Sequence, residues 1–164
     1  MDRTTKDLME AFAGESQANR KYLAFAAKAD QEGYPQVARL FRAAAAAETI
    51  HAHNHLRALK GVKSTQENLE DAITGEIHEF KEMYPGMIAA AKDAGNKEAE
   101  RTFSYANEVE KVHAELYQKY KDAMEDKKMV DFYICPVCGY TVEEEPPENC
   151  PVCGAKGKVF KKID

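Results

Sequence analysis

The stretch AETIH (residues 47–51) has a counterpart in VEKVH (residues 109–113). Each places a glutamate three residues before a histidine, which on a helix puts the two side chains on adjacent turns of one face. Both pairs interrupt stripes of mostly apolar residues that recur every three or four positions. The stripes are Val37, Phe41, Ala44, Glu48, His51, His55 and Ala58, and Ala99, Phe103, Ala106, Glu110, His113, Tyr117, Tyr120 and Met124.

An internal repeat connects these pairs to two further glutamates. The dipeptide Gly14-Glu15 precedes Glu48 by 33 residues, and Gly75-Glu76 precedes Glu110 by 34 residues, counted from glutamate to glutamate. Two halves that match so closely in register indicate an internal duplication, with a pseudo-twofold axis relating the halves.

Metal binding explains why two Glu-x-x-His pairs and two Gly-Glu pairs lie among apolar residues on four helices. A single Glu-x-x-His is common on a wet helix surface, but burying an isolated carboxylate costs several kcal/mol or forces it to protonate. The stripes contain no lysine or arginine, so bound cations are the simplest counter-charge. Oxygen-rich sites with imidazoles favour iron or manganese over structural zinc. The candidate ligands from the repeat are Glu15, Glu48, His51, Glu76, Glu110 and His113.

The segment GEIHEF (residues 75–80) breaks the symmetry of the repeat. Glu79 aligns with Ala18 of the first half, so it is a fifth carboxylate without a counterpart. The combined negative charge of five carboxylates lies, in magnitude, between the positive charge of two ferrous ions and that of two ferric ions. The extra carboxylate should therefore favour ferric iron. His78 should face away from the glutamates, and His55 is expected to be a hydrogen-bonded core histidine.

Turn signals divide the first part of the chain into four helices, at about 4–31, 35–59, 66–93 and 96–126. Thr4 and Thr65 are the expected N-caps, and Pro85 should kink the third helix or open one turn. Glycines are expected just beyond three helix ends, at Gly33, Gly61 and Gly95. Four helices of similar length predict a mainly α fold, a four-helix bundle. Its ligand set, one glutamate from each of two helices and Glu-x-x-His from each of the other two, resembles that of the ferritin-like di-iron carboxylate proteins.

Composition changes abruptly near residues 125–131, beyond which lie all four cysteines and most prolines. We therefore predict two domains, residues 1–127 and 131–164. The net charge of −5 argues against nucleic acid or an anionic membrane as a partner. The sequence shows neither a signal-type leader nor an apolar run of about 18 residues, so the expected location is the cytoplasm.

The cysteines form two similar motifs, CPVCGY (135–140) and CPVCGA (150–155). Such C-x-x-C-G turns direct both sulfurs at one metal, and the glycine lets backbone N–H groups approach sulfur. A structural zinc ribbon has the same four-cysteine tetrahedron. The gap of eleven residues between Cys138 and Cys150 is shorter than the roughly 15–20 residues of zinc ribbons, which favours iron. The metal ligands are Cys135, Cys138, Cys150 and Cys153.

The cysteine pattern resembles rubredoxin, and the whole chain resembles the rubrerythrin family. The resemblance rests on AFAGESQANRKY, AETIH, GEIHE, EMYP, EKVHAELY and the two CPVCG motifs. It implies that Glu79 joins the six ligands of the repeat at a di-iron centre. It also implies that Tyr22 and Tyr84 lie beside the ligands, and that one iron exchanges His51 for Glu79 between redox states.

The activity implied by the resemblance is reduction of hydrogen peroxide to water by the di-iron centre, in oxidative-stress defence. The iron held by the four cysteines would re-reduce this centre with electrons from rubredoxin or an NAD(P)H-dependent reductase. The chain has no G-x-G-x-x-G fingerprint of its own for the nicotinamide. Two alternatives stay open, an iron-oxidising detoxification (ferroxidase) protein and a zinc-stabilised interaction module.

The length of the chain segments also predicts a homodimer. The second helix, of about 25 residues, is roughly 38 Å long. The link to the third helix has six to eight residues and reaches at most roughly 25 Å, too short to run the length of a ferritin-like bundle. Either the bundle is a plain up-down-up-down one, or the first two helices pair with the last two of another chain. We expect the second arrangement, a swapped dimer.

Overall fold

The computed structural model of the chain describes residues 1–126 and 128–164. The residues form two compact units, 1–63 and 64–164. The helices are α1 (Arg3–Gln31), α2 (Pro35–Ala58), α3 (Thr65–His78), α4 (Tyr84–Asp93) and α5 (Lys97–Asp122). A π-helical turn, Glu79–Met83, separates α3 from α4. The strands are β1 (Phe132–Ile134), β2 (Thr141–Glu143) and β3 (Lys161–Ile163), and Gly157–Val159 form a 3₁₀ turn.

The two predicted N-caps are wrong by one or two residues. Asp2 caps α1, since its Oδ1 accepts a hydrogen bond from the Thr5 N–H at 3.0 Å. Ser64 caps α3 in a reciprocal capping box with Glu67. In both cases a polar side chain lies just before the threonine, on a residue with extended backbone, where its oxygen reaches the free N–H groups of the first turn.

Two of the three predicted glycine stops are confirmed, and the third is wrong. Gly33 and Gly95 follow α1 and α4 with φ of 80° and 65°, the left-handed conformation that glycine adopts readily. After α2 the left-handed residue is Lys60, with φ of 55°. Gly61 serves a different purpose, because a Cβ there would collide with the Leu56 side chain.

The prediction that Pro85 would kink the third helix or open one turn is confirmed by the π-helical turn before it. Within that turn the Tyr84 N–H donates to the Glu79 carbonyl, five residues back. Proline has no N–H to donate and its ring clashes with the carbonyl four residues earlier. The wider turn absorbs both defects, so that Pro85 occupies the first turn of α4.

The first unit is a pair of helices packed through alanine. Ala26 and Ala29 of α1 and Ala38 of α2 form a buried cluster against which Phe41 packs. Across the same interface the Asn19 side-chain amide donates to the Ala45 carbonyl at 2.7 Å. Small side chains allow the two backbones to approach closely enough for this contact.

The second unit packs α3, α4 and the π-helical turn along α5. Ala91, Val109 and Ala114 are its buried helical residues. The Tyr84 and Phe103 rings meet at 6.3 Å between centroids. The helices therefore meet in a lengthwise contact that includes the middle of α5, where Glu110 and His113 lie.

The strands follow α5 in the same unit and form an antiparallel sheet of order β2-β1-β3. Tyr133 pairs with Val142 on one side and with Lys162 on the other. The sheet is attached to α5, since the Tyr120 hydroxyl donates to Glu143 at 2.6 Å and the Tyr120 ring lies 5.6 Å from that of Phe132.

The predicted fold class is confirmed: the chain is mainly helical, with the four helices of a bundle and a small three-stranded domain that carries four cysteines. Within the described residues no helix is both long and apolar enough to span a bilayer. The predicted end of the first domain, residue 127, lies outside the described residues, and the division into domains at 127 and 131 stays a prediction.

The left-handed Lys60 yields a stability prediction. A non-glycine residue in this conformation costs about 1–2 kcal/mol, partly offset by the greater entropy that glycine loses on folding. Replacing Lys60 with glycine should raise the free energy of unfolding by about 0.5–1 kcal/mol, measured by denaturant titration. Lys60→Ala is the control, because it removes the same charge and keeps the Cβ. An equal gain in both variants would show that backbone strain is not the cause.

Candidate metal centre

The first half-site lies on the α1–α2 pair. α1 supplies Glu15 and α2 supplies Glu48 and His51, and their ligand atoms all lie within 4.8 Å of one another. His51 Nδ1 is 2.8 Å from Glu48 Oε2 and 3.9 Å from Glu15 Oε1. Two carboxylates and one imidazole thus converge from two helices, as the Glu-x-x-His spacing predicts.

The second half-site repeats this arrangement in the other unit. α3 supplies Glu76 and α5 supplies Glu110 and His113, again within 4.8 Å of one another. His113 Nδ1 is 2.7 Å from Glu110 Oε2 and 3.8 Å from Glu76 Oε1. The same imidazole nitrogen faces the carboxylates at nearly the same distances in both half-sites, so the duplication seen in the sequence extends to the geometry.

Burial, and then the negative charge of Glu110, raise the pKa of Glu76 to about 7. The Glu110 carboxylate accepts a hydrogen bond from His113 and thereby raises the pKa of this histidine. A half-site that draws protons in this way holds more negative charge than its surroundings compensate. The donor set therefore fits a divalent cation, which would displace those protons and bind the same oxygens and nitrogen.

The four cysteines form a third cluster. Cys135 Sγ lies 3.6 Å from Cys153 Sγ, and Cys138 Sγ lies 3.5 Å from Cys150 Sγ. A tetrahedron with metal–sulfur bonds of about 2.3 Å has edges of about 3.8 Å. The sulfurs are therefore spaced to hold one metal ion.

Backbone N–H groups approach these sulfurs, as the glycine of each motif predicts. Gly139 and Gly154 have φ of 86° and 75°. Burial raises the pKa of Cys135, but hydrogen bonds from the N–H groups of Val137 and Cys138 and from neighbouring cysteine side chains together make the net shift downward. At Cys138 and Cys153 burial prevails and the pKa is raised. Such hydrogen bonds stabilise thiolate, the form that binds metal.

Family comparisons agree with this arrangement. The family model described as rubrerythrin matches residues 6–121, and the one described as the rubrerythrin rubredoxin-like domain matches residues 133–161. The chain belongs to the rubrerythrin family. Rubrerythrin-2 of Clostridium acetobutylicum is 42% identical, over 96% of this chain and 95% of that protein. Nigerythrin of Nitratidesulfovibrio vulgaris is 40% identical, over 92% of this chain and 81% of that protein.

Solved structures of nigerythrin share the fold. A mixed-valence state matches with a TM-score of 0.60 at 36% identity, over 99% of this chain and 88% of that one. A fully reduced, all-ferrous state matches with a TM-score of 0.61 at 35% identity. The two carboxylate–histidine clusters and the four-cysteine cluster of this rubrerythrin-family chain are consistent with a di-iron centre and a rubredoxin-type metal.

Glu79, the unpaired fifth carboxylate, begins the π-helical turn and is not part of either three-residue cluster. It still lies close to the second half-site, because burial and then the charge of Glu110 raise its pKa. The role of Glu79 as a ligand stays a prediction. The wide turn places this side chain next to the half-site without an equivalent in α1.

The two tyrosines expected beside the ligands have different surroundings. Tyr84 is near the second half-site, since burial and the charges of Glu79 and Glu110 raise its pKa. Tyr22 packs in an aromatic group with Phe25 and Phe41, whose ring centroids lie 6.3 and 6.2 Å away. His78, expected to face away, is exposed and 3.2 Å from Glu82.

Sequence analysis missed two residues at the second half-site. Periodicity assigns Tyr117 only to the apolar stripe, yet burial and then the charges of Glu76 and Glu110 raise its pKa. Its position one turn after His113 could have revealed it. The other residue is Thr141 of β2, whose Oγ1 lies 3.0 Å from His113 Nε2. Periodicity cannot reveal that contact, because it joins helix α5 to strand β2, 28 residues further along the chain.

The shifted pKa values predict how the metal-free chain responds to pH. A group whose pKa is higher in the folded chain than in the unfolded chain stabilises the fold while protonated, and that contribution is lost as pH rises through the folded pKa. Glu76 rises from 4.5 to about 7, and the upward shift of the His113 pKa acts in the same direction. Chelator-treated protein should therefore lose thermal stability between about pH 5 and pH 8.

Thermal unfolding followed by circular dichroism measures this loss. Glu76→Gln should reduce the pH dependence, since an amide does not titrate. Glu115→Gln, on helix α5, is an exposed control and should leave the pH dependence intact. A midpoint that rises over this pH range in the unmodified protein would contradict the assigned crowding.

Proposed function

We propose that the chain is a non-haem di-iron peroxidase, which reduces hydrogen peroxide to water in defence against oxidative stress. One observation carries this proposal: the same chain holds two matched carboxylate–imidazole half-sites and a four-cysteine site. Oxygen-rich sites with imidazole suit iron, and four thiolates around one iron form a one-electron carrier. Membership of a family whose members are generally peroxidases supports it.

Reduction of one peroxide to two waters consumes two electrons and two protons. Two ferrous ions held by the carboxylates and imidazoles of the half-sites would supply the two electrons, and an iron held by the four cysteines would return them one at a time. The electrons come ultimately from rubredoxin or an NAD(P)H-dependent reductase. We place this reaction in the cytoplasm, where a reducing environment preserves the thiolates.

Tyrosines near the second half-site provide hydrogen-bond donors. Burial and nearby carboxylates raise the pKa of Tyr84 and of Tyr117, so both phenols keep their proton at neutral pH. Each can donate a hydrogen bond to an oxygen species in the site. With a pKa of about 7, Glu76 can release a proton when a cation binds.

Glu79 and His51 complete the proposal as alternative ligands of one iron, with Glu79 bound in the oxidised state and His51 in the reduced state. The environments of the Glu79 and His51 side chains support such an exchange of ligands. The His51 side chain is 52% exposed, and Glu79 lies in the π-helical turn. An added carboxylate favours the ferric state, because it offsets the extra positive charge.

Electron transfer from the cysteine domain to the second half-site has a short route in this proposal. α5 and β2 are in contact within residues 64–164. The Lys119 ammonium and the Tyr120 hydroxyl both bond Glu143 of β2. The domain that carries the cysteines is therefore attached to the helix that carries Glu110 and His113.

We further propose that the protein is a swapped homodimer, in which the half-site on residues 1–63 of one chain joins that on residues 64–164 of a second. The α1–α2 pair supports this arrangement, because it leaves large apolar side chains uncovered. Leu40 and Ile50 are 67% and 60% exposed, and Phe25 is 47% exposed. A second copy that covers these residues would bury much apolar surface.

Co-expression of two inactive variants tests the swap. Glu48→Ala disables the first half-site and Glu110→Ala the second. In a swapped heterodimer one site combines the two intact halves, so peroxidase activity should return to about half of the wild-type activity per heterodimer. The control pair is Glu48→Ala with His51→Ala, which damages the same half twice and should restore nothing. A monomer in light scattering, or no recovery in a verified heterodimer, would contradict the swap.

Anaerobic stopped-flow measurement of the reduced protein tests the peroxidase function. Peroxide should oxidise the di-iron centre much faster than oxygen does. Glu79→Ala should still bind iron but lower peroxide turnover by about 10- to 100-fold, the range seen when groups supporting a metal are removed. Iron content and the visible spectrum check that the metal remains bound.

Glu82→Ala is the matched control, since Glu82 lies in the same turn but is exposed beside His78; it should keep normal turnover. Faster oxidation by oxygen than by peroxide would instead support the iron-oxidising alternative. Unchanged turnover in Glu79→Ala would remove this residue from the mechanism and leave the half-sites in place.

A further inference from the structure

One hydroxyl group connects the second half-site to the cysteine domain. Thr141 Oγ1 lies 3.0 Å from His113 Nε2 and 3.1 Å from the Gly139 carbonyl oxygen. Gly139 directly follows the metal-binding Cys138 in the chain. Two hydrogen bonds of one threonine thus connect the imidazole of His113 to the turn that carries Cys138.

The directions of these hydrogen bonds are determined by chemistry. A carbonyl oxygen only accepts, so the single hydroxyl proton of Thr141 is donated to Gly139. The lone pairs of Thr141 Oγ1 then accept from His113, which must carry a proton on Nε2. The remaining nitrogen, Nδ1, is the one that faces Glu110 and Glu76 at 2.7 and 3.8 Å.

We propose that Thr141 is a positioning residue for His113. Its hydroxyl holds the proton on Nε2 and the ring in the orientation that directs the Nδ1 lone pair at the metal. Metal-binding histidines depend on such a partner for the nitrogen that does not bind the metal. The same hydroxyl links His113 to the Gly139 carbonyl, so under the proposed function it also lies on the electron route from the four-cysteine iron.

The first half-site lacks this support among the described residues. The carboxylates face His51 at almost the same distances as His113, but the recorded contacts of His51 are through Nδ1 alone. The side chain of His51 is 52% exposed and that of His113 is 28% exposed. Thr141 therefore makes the two imidazoles unequal, with His113 in contact through both ring nitrogens and His51 through Nδ1 alone among the described residues.

The position of Thr141 is itself maintained by neighbouring contacts. Glu143, two residues later in β2, bonds both Lys119 and Tyr120 of α5. Gly139 is close to the same helix, where an added Cβ would lie 3.8 Å from Val109 Cγ1. These contacts keep the hydroxyl at His113 independently of the hydroxyl itself, so its removal need not detach the domain.

The test compares Thr141→Val, which keeps the shape and removes the hydroxyl, with Thr141→Ser, which keeps the hydroxyl. Co(II) titration of metal-free protein, followed by its visible spectrum, measures affinity without any peroxidase activity. The valine variant should bind Co(II) at one of the two half-sites about 10- to 100-fold more weakly. The serine variant should bind like the wild type.

Thr74→Val is the control, since this hydroxyl donates to the Glu70 carbonyl of its own helix, at 2.8 Å. It should leave both affinities unchanged. If the valine and serine variants have the same Co(II) affinities, the positioning role is wrong. Because the Co(II) titration uses no peroxide, it tests the positioning role of Thr141 independently of the proposed function.

Electron transfer is measured in iron-loaded protein by flash reduction of the four-cysteine iron and the decay of its reduced spectrum. The rate should fall about tenfold or more in Thr141→Val and recover in Thr141→Ser, while the reduction potential of the four-cysteine iron stays constant. An unchanged rate in the valine variant would overturn the electron route. A changed potential would show instead that the substitution acts on the cysteine site.

Discussion

The crowding of carboxylates on helix faces is the constraint on which the rest of this structure depends. Glu76 and Glu110 lie close enough, in a half-buried position, that the pKa of Glu76 reaches about 7. Like charges so placed destabilise a fold unless a proton or a cation neutralises them. A bound cation would therefore stabilise the arrangement, and metal binding would be linked to folding.

Duplication explains how the helices meet this constraint twice. The two imidazoles face their carboxylates at 2.8 and 2.7 Å and at 3.9 and 3.8 Å, although the surrounding residues differ. Equal spacing of Glu-x-x-His on two helices accounts for the 2.8 and 2.7 Å distances, because the helix itself sets the separation of the two side chains. The 3.9 and 3.8 Å distances join different helices, so Glu15 of α1 and Glu76 of α3 must also lie at equivalent positions against α2 and α5. Apolar packing around the half-sites can then vary between the halves.

Much of the fold could be predicted from local chemistry, and the errors have local causes. The helices, the sites of the breaks and the opening near Pro85 follow from periodicity, glycine and proline. Thr4 and Thr65 were wrong as caps because Asp2 and Ser64 precede them with equally suitable oxygens. Gly61 was wrong as the left-handed residue because α2 ends at Ala58, which places Lys60 one residue beyond the C-cap Leu59, in the left-handed position. The contact of Thr141 with His113 joins residues 28 apart and arises only from tertiary packing.

The contact of Thr141 with His113 makes the two half-sites unequal although their ligands match. Two half-sites with identical ligands would be expected to bind and release metal alike, yet only one imidazole has a hydroxyl partner on its far nitrogen among the described residues. The supported histidine belongs to the helix that contacts the cysteine domain, and the extra carboxylate Glu79 adjoins the same half-site. A metal ion that exchanged one ligand for another would need some ligands that stay in place and others that can move. The duplication supplies matched carboxylates, and features of α5, β2 and the π-helical turn that have no counterpart in the first half supply the difference between the sides.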